Sequence, residues 1–127
     1  MNLLNKLISP EEIKARMDRM DDYSAMGDYE CTTCGNAIEM YLQVENGVIV
    51  KASSFSQGCG YCRACAATAA YLAEGKTPGE AAFEVGIDEV RAIVGAPAGE
   101  NIDGPLFATA ALKLAVRNWE KGLKAAA

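Results

Sequence analysis

Residues 37–55 constrain this chain more than any other stretch. Ile38, Met40, Leu42 and Val44 alternate with Glu39, Tyr41, Gln43 and Glu45. A two-residue period of this kind marks a strand with one face in a core. Asn46-Gly47 follows, the strongest short hairpin signal because both turn residues must take positive φ. Val48 to Phe55 then returns as a second strand. A hairpin here brings the chain before Ala37 and the chain after Phe55 to one end of the sheet. All five cysteines lie on those two flanks: Cys31 and Cys34 before, Cys59, Cys62 and Cys65 after. The spacing is C-x2-C, a gap of 24 residues, then C-x2-C-x2-C. Hairpin and spacing together predict one thiol-lined site.

The remaining elements are read from caps and periodicity. Ser9-Pro10-Glu11-Glu12 is a helix start, with a hydroxyl cap, Pro in the first turn and acids at the positive dipole end. The helix is expected to reach about Met20, with Ile13, Met17 and Met20 as its apolar stripe. DDYSAMGDYE is acidic and aperiodic and reads as a surface loop. From about Cys62 the sequence becomes small and helical, stopping at Gly75. Thr77-Pro78-Gly79-Glu80 is a capping box opening a short helix to about Val85. Asp88 is positioned to cap another helix, DEVRAIVG. APAGENIDG is a loop, and Gly104-Pro105 opens a long last helix. Leu112, Ala115, Val116, Trp119 and Leu123 fall on its buried face. One domain over 1–127 follows: an N-terminal helix and loop (1–30), a cysteine-bearing hairpin region (31–65) and a helical part (62–127). The fold class is α+β, a small antiparallel sheet with helices packed on one face.

Composition narrows the function classes. At 127 residues, half of them hydrophobic, the chain can build a core without staples. The net charge of −5, with Lys and Arg scattered, argues against nucleic acid. No apolar run approaches a membrane span, and the N-terminus is too weakly apolar for a signal peptide. The expected location is the cytoplasm, where clustered thiols are metal or redox groups. There is no His, so a Ser/His/Asp triad is excluded. Glu11-Glu12 and Asp21-Asp22 read as solvated faces, and the phosphate-loop pattern is missing. The chain reads as a binding protein, not an enzyme.

Four thiolates, Cys31, Cys34, Cys59 and Cys62, suit a soft or borderline metal. Zinc and an iron–sulfur cluster both fit this donor set. A thiol–disulfide or persulfide-carrying protein is a third reading, because a C-x-x-C at a helix start favours the thiolate. Cys65 borders the apolar run AATAAYLA and suits core packing as well as ligation.

Three segments carry a resemblance. Cys34-Gly35-Asn36 is similar to a C-G-D motif, Phe55-Ser56-Gln57-Gly58-Cys59-Gly60 to F-x-x-x-G-C-G, and AATAAYLAEGKTPGEA to a small-residue helix followed by G-K-[ST]-x-x-E-A. In these the chain, from Cys34 onward, resembles the NifU/IscU-type iron–sulfur cluster assembly scaffolds. The resemblance implies an exchangeable 2Fe–2S cluster on three cysteines assisted by the aspartate. It also implies sulfur from a cysteine desulfurase and transfer to acceptor proteins. Cys34 and Cys59 match two of the three family cysteines. The third belongs to an H-C-S-like run opening the last helix, where this chain reads Ile102-Asp103-Gly104-Pro105-Leu106. Asn36 replaces the aspartate and supplies no anionic oxygen. Cys31, Cys62 and Cys65 stand in exchange. The expectation is a ligand set shifted to Cys31, Cys34, Cys59 and Cys62, with Cys65 in reserve and Asp103 as an oxygen donor. The alternative cargo is Zn²⁺. A homodimer sharing one cluster is a further arrangement that an odd thiol allows.

Overall fold

A computed structural model describes residues 10–30, 37–57, 60–95 and 104–126. Its elements are α1 (Pro10–Lys14), β1 (Ala25–Glu30), β2 (Ala37–Glu45), β3 (Val48–Gln57), α2 (Gly60–Ala73), α3 (Pro78–Glu84), α4 (Ile87–Val94) and α5 (Gly104–Ala126). The three strands form one antiparallel sheet in the order β1-β2-β3. Ile38, Met40 and Leu42 are buried on its inner face, as the alternation requires. The turn is the one expected, with φ of 54° at Asn46 and 78° at Gly47. A register shift at Gln43/Val44 pairs Val44 with Ile49. Ile49 thereby enters the core while Val50 faces solvent.

Helices α2 and α5 pack on the inner face. Helix α2 does so through Cys65, Ala66, Ala69, Ala70 and Ala73, and α5 through Ala108, Ala111, Leu112, Ala115 and Val116, all in one continuous core. Gly75, with φ of 87°, ends α2. The Thr77 capping box then starts α3: Thr77 Oγ1 accepts from Glu80 N at 3.2 Å and Glu80 Oε1 from Thr77 N at 3.0 Å. On the last helix, Leu112, Ala115 and Val116 are buried and Trp119 is half-buried. The side chain of Leu123 lies outside the described residues.

Three expectations are corrected. The first helix ends at Lys14, not Met20. The carbonyls of the residues that would continue it go to the sheet: Arg16 O accepts from Ser54 N and Oγ, and Asp18 O from Ser53 Oγ. The last turn tightens into three-residue bonds, Arg16 N to Ile13 O and Met17 N to Lys14 O. The Ser9 cap lies outside the described residues. Second, the expected loop 21–30 contains β1. Its buried residues Ala25 and Gly27 are small, and α5 crosses Gly27 at backbone distance. A Cβ on Gly27 would overlap Ala115 N and lie 2.7 Å from Leu114 C and 2.8 Å from Ala111 O. Third, α4 is capped at Gly86, not Asp88, and Glu89 Oε1 accepts from Gly86 N at 3.0 Å. Smaller differences extend β3 to Gln57 and start α2 at Gly60.

Candidate metal centre

The strand register fixes where the cysteine-bearing segments attach. Ala37 is level with Glu30 on one side and Gln57 on the other. All three strands therefore reach a common end, and α2 starts three residues past Gln57. The chain joins Glu30 to Ala37 through Cys31 and Cys34, and Gln57 to Gly60 through Cys59. Those three cysteines lie outside the described residues, as does Asp103, which directly precedes α5. Their described neighbours nonetheless share one end of the sheet, which is the convergence the hairpin predicted.

Cys62 and Cys65 are described. They stand one turn apart on α2 and both are fully buried. Cys65 belongs to the continuous apolar core, whereas Cys62, in the first turn, does not. That first turn lies at the positive end of the helix dipole, a setting that favours an anion. Among the described residues alone, no three Cys, His, Asp or Glu side chains are arranged to hold a metal. A centre of three or four donors at this end would therefore draw on Cys31, Cys34 or Cys59.

Helix α5 opens against this same turn of α2. A Cβ on Gly104 would stand 2.9 Å from two ring carbons of Tyr61 and 3.1 Å from Cys65 Sγ. The contact is a steric reason for glycine there. Tyr61 also donates from its hydroxyl to Gly95 O at 2.8 Å, so one ring touches both ends of the 96–103 segment. Burial, and then the neighbouring Cys65 thiol, raise the Tyr61 phenol above its usual range. Phe107 stacks on Tyr29 of β1 with centroids 5.4 Å apart, fixing the start of α5 over the sheet end.

Sequence reasoning did not find Tyr61 or the Gly104 contact; nothing in the residue types marks a tertiary approach of two helix starts. Nor did it find an acidic group on the outer sheet face. There Asp28 pairs in register with Glu39, and Glu30 with Ala37. The signal was present in the alternation of DYE with AMG, but only once that segment is recognised as a strand.

The fold is shared with solved structures. The N-terminal part of a nitrogen-fixing NifU-like protein from Brucella abortus is 19% identical, with a TM-score of 0.62 over 87% of this chain and 90% of that one. A putative iron–sulfur cluster assembly scaffold protein for the SUF system from Fervidobacterium islandicum AW-1 is 15% identical, with a TM-score of 0.64 over 88% and 98%. A solved hypothetical protein is 20% identical, with a TM-score of 0.66 over 92% and 99%. At these identities the likeness concerns the fold. No curated protein matches the sequence. The model of the NifU-like N terminal domain matches residues 8–126, nearly the whole chain, and the chain belongs to that family.

Proposed function

We propose that this chain is a scaffold or carrier for an iron–sulfur cluster, held as cargo by Cys31, Cys34, Cys59 and Cys62. The observation that carries the reading is the convergence of Glu30, Ala37, Gln57 and the start of α2 at one end of the sheet. Cys62 lies in the first turn of that helix, and in sequence Cys31, Cys34 and Cys59 fall between those described residues. Membership of the NifU-like family supports the choice of cargo.

On this reading the ligand set differs from the family pattern. Where the resemblance places a cysteine at the start of the last helix, this chain has Gly104, pressed against Tyr61 and Cys65. Cys62 takes over as the fourth thiolate from α2. Cys65, a core residue, is the reserve, and Asp103 is an oxygen donor next to α5. Four thiolates with no His and no C-G-D carboxylate hold a cluster more firmly than a mixed set with a labile oxygen ligand. The chain then acts less as a donor for rapid transfer and more as a stable carrier, turning over no substrate of its own. A cysteine desulfurase supplies sulfur and acceptor proteins receive the cluster.

The test is a count of iron, zinc and acid-labile sulfide on one anaerobically reconstituted sample. Iron and sulfide in equal amounts, with visible charge-transfer bands, are expected. One zinc per chain with neither iron nor sulfide overturns the cargo and leaves a zinc-stabilised domain. Cys62→Ser is expected to lose most of the bound metal, and full retention in that variant removes Cys62 from the ligand set.

A further inference from the structure

The helices cover one face of the sheet, and the chain itself covers half of the other. Residues 18–24 run along the outer face by Tyr41, Gln43 and Ser53. Tyr23 packs on Tyr41 with ring centroids 5.3 Å apart, and Gln43 Nε2 donates to Asp22 Oδ2 at 3.0 Å. This cover ends at Arg19. Its guanidinium lies 4.0 Å from the centre of the Phe55 ring, and its Nε donates to Glu39 Oε1 at 3.2 Å. Between Arg19 and the thiol-bearing end no described residue covers the outer face. It holds a hollow of about 250 Å³ lined by Asp28, Glu30, Ala37, Glu39, Phe55 and Gln57 among others.

Charge sets this hollow apart from an ordinary solvated face. Asp28 and Glu39 are direct cross-strand partners, an arrangement in which like charges destabilise a sheet. Glu30 adds a third carboxylate on the same side of β1. The Glu39 carboxyl is held below its usual range, first by the Tyr41 hydroxyl and then by Arg19. Among the described residues Arg19 is the one cation paired with this group, and it pairs with Glu39. Asp28 and Glu30 have no ion pair among the described residues. Among the described residues, one of the three carboxylates thus has a guanidinium and two have none, beside an aromatic ring that already accepts one.

We infer that this open face docks a partner protein through a basic loop, with one arginine or lysine side chain entering the hollow beside Phe55 and facing Asp28 and Glu30. Arg19 on Phe55 and Glu39 displays the recognition within the chain: a guanidinium on a ring face with a carboxylate at its edge. The hollow is smaller than a typical small-molecule pocket and suits a single long side chain. Phosphate-bearing partners are repelled, and a second copy of the chain brings the same net charge of −5. A metal is disfavoured because no three carboxylates here are close enough to ligate one ion. The inference goes beyond the cluster reading and stands whichever metal the thiols hold.

The experiment titrates the full chain with an end-capped peptide carrying two arginines in a Gly-Ser frame, and with its glutamate counterpart, followed by amide NMR at low salt. The arginine peptide is expected to shift the amides of 28–30, 37–39 and 55–57. Its Kd should rise at least about fivefold in D28N/E30Q and stay within about twofold in E84Q/D88N, which removes the same charge from the helical layer. D28N/E30Q relieves a like-charge pair and is expected to melt no lower than the parent; if it unfolds, Glu30→Gln alone serves in its place. Equal weakening in the two double variants, shifts centred on the helical layer, binding of the glutamate peptide, or no binding each overturns the proposal.

Discussion

Tyr41 and Glu39 are two residues apart on one strand, and their hydroxyl–carboxylate bond gives the outer sheet face its charge state. The Tyr41 hydroxyl donates to Glu39 Oε1, which also accepts from Arg19. Burial first, and then that bond, push the phenol up to about 12. The same bond lowers the Glu39 carboxyl below its ordinary value of 4.5. The signs of the two contributions differ. A lowered carboxyl stabilises the fold above its unfolded value, and that stability is lost as pH falls through the folded one. A raised phenol stabilises below its ordinary value of 10.0, and its contribution is lost as pH rises from there to about 12. Denaturation midpoints followed against pH should therefore fall between pH 10 and 12 in the parent and less steeply in Tyr41→Phe. An unchanged alkaline slope in that variant would assign the loss to another group.

Arg16 ties the N-terminal segment to two other elements at once. Its guanidinium pairs with Glu74 at 2.6 Å and lies over Tyr71, while its carbonyl accepts from Ser54 N at 2.8 Å. The second Glu74 oxygen accepts from Ala52 N at 3.0 Å. With Arg16→Ala, the segment after α1 should loosen from β3, and exchange of the Ser54 amide should accelerate by about tenfold, corresponding to roughly 1.4 kcal/mol of local stability. Protection equal to the parent would show that the backbone bond holds without the ion pair. The same contacts explain why the first helix looked longer from sequence. Ile13, Met17 and Met20 do keep helical spacing, but serines on β3 claim the carbonyls a longer helix would use. The hairpin was legible because its burial alternates with its residue types. β1 was not, because its inward residues are Ala25 and Gly27, chosen for smallness and carrying no hydrophobic signal. Two of the helix starts were read from caps alone, and the third was misplaced by two residues because glycine at the cap leaves no side chain to recognise.

Across the whole molecule, a sheet and a helical layer meet over a core rich in alanine. That composition lets backbones approach closely, and at Gly27 β1 passes under α5 at backbone distance. Gly27→Ala is expected to cost about 3 kcal/mol, the upper range for overpacking a tight contact, and a urea midpoint should show it. A loss under about 0.5 kcal/mol, the range of ordinary surface substitutions, would mean that α5 sits further from β1 than described. The meeting of Glu30, Ala37, Gln57 and the start of α2 at one end of the sheet was legible because the hairpin implied it. Which of Cys62 and Cys65 joins the apolar core was not legible, since both are small, buried and one turn apart.

Helix α5 is a single rod running from Gly104, against Tyr61 and Cys65, past Ala115, against Gly27. Those two contacts lie about 16 Å apart along its axis at 1.5 Å per residue. Neither leaves room for a methyl group, so the rod is clamped at two points and acts as a lever between them. A bulkier residue at the edge strand would lift one clamp and tilt the helix against the other. On the cluster reading proposed above, a variant whose thiols are untouched would then lose metal for a purely mechanical reason, and a screen for cysteine-site defects in this protein should be read with strand β1 in mind.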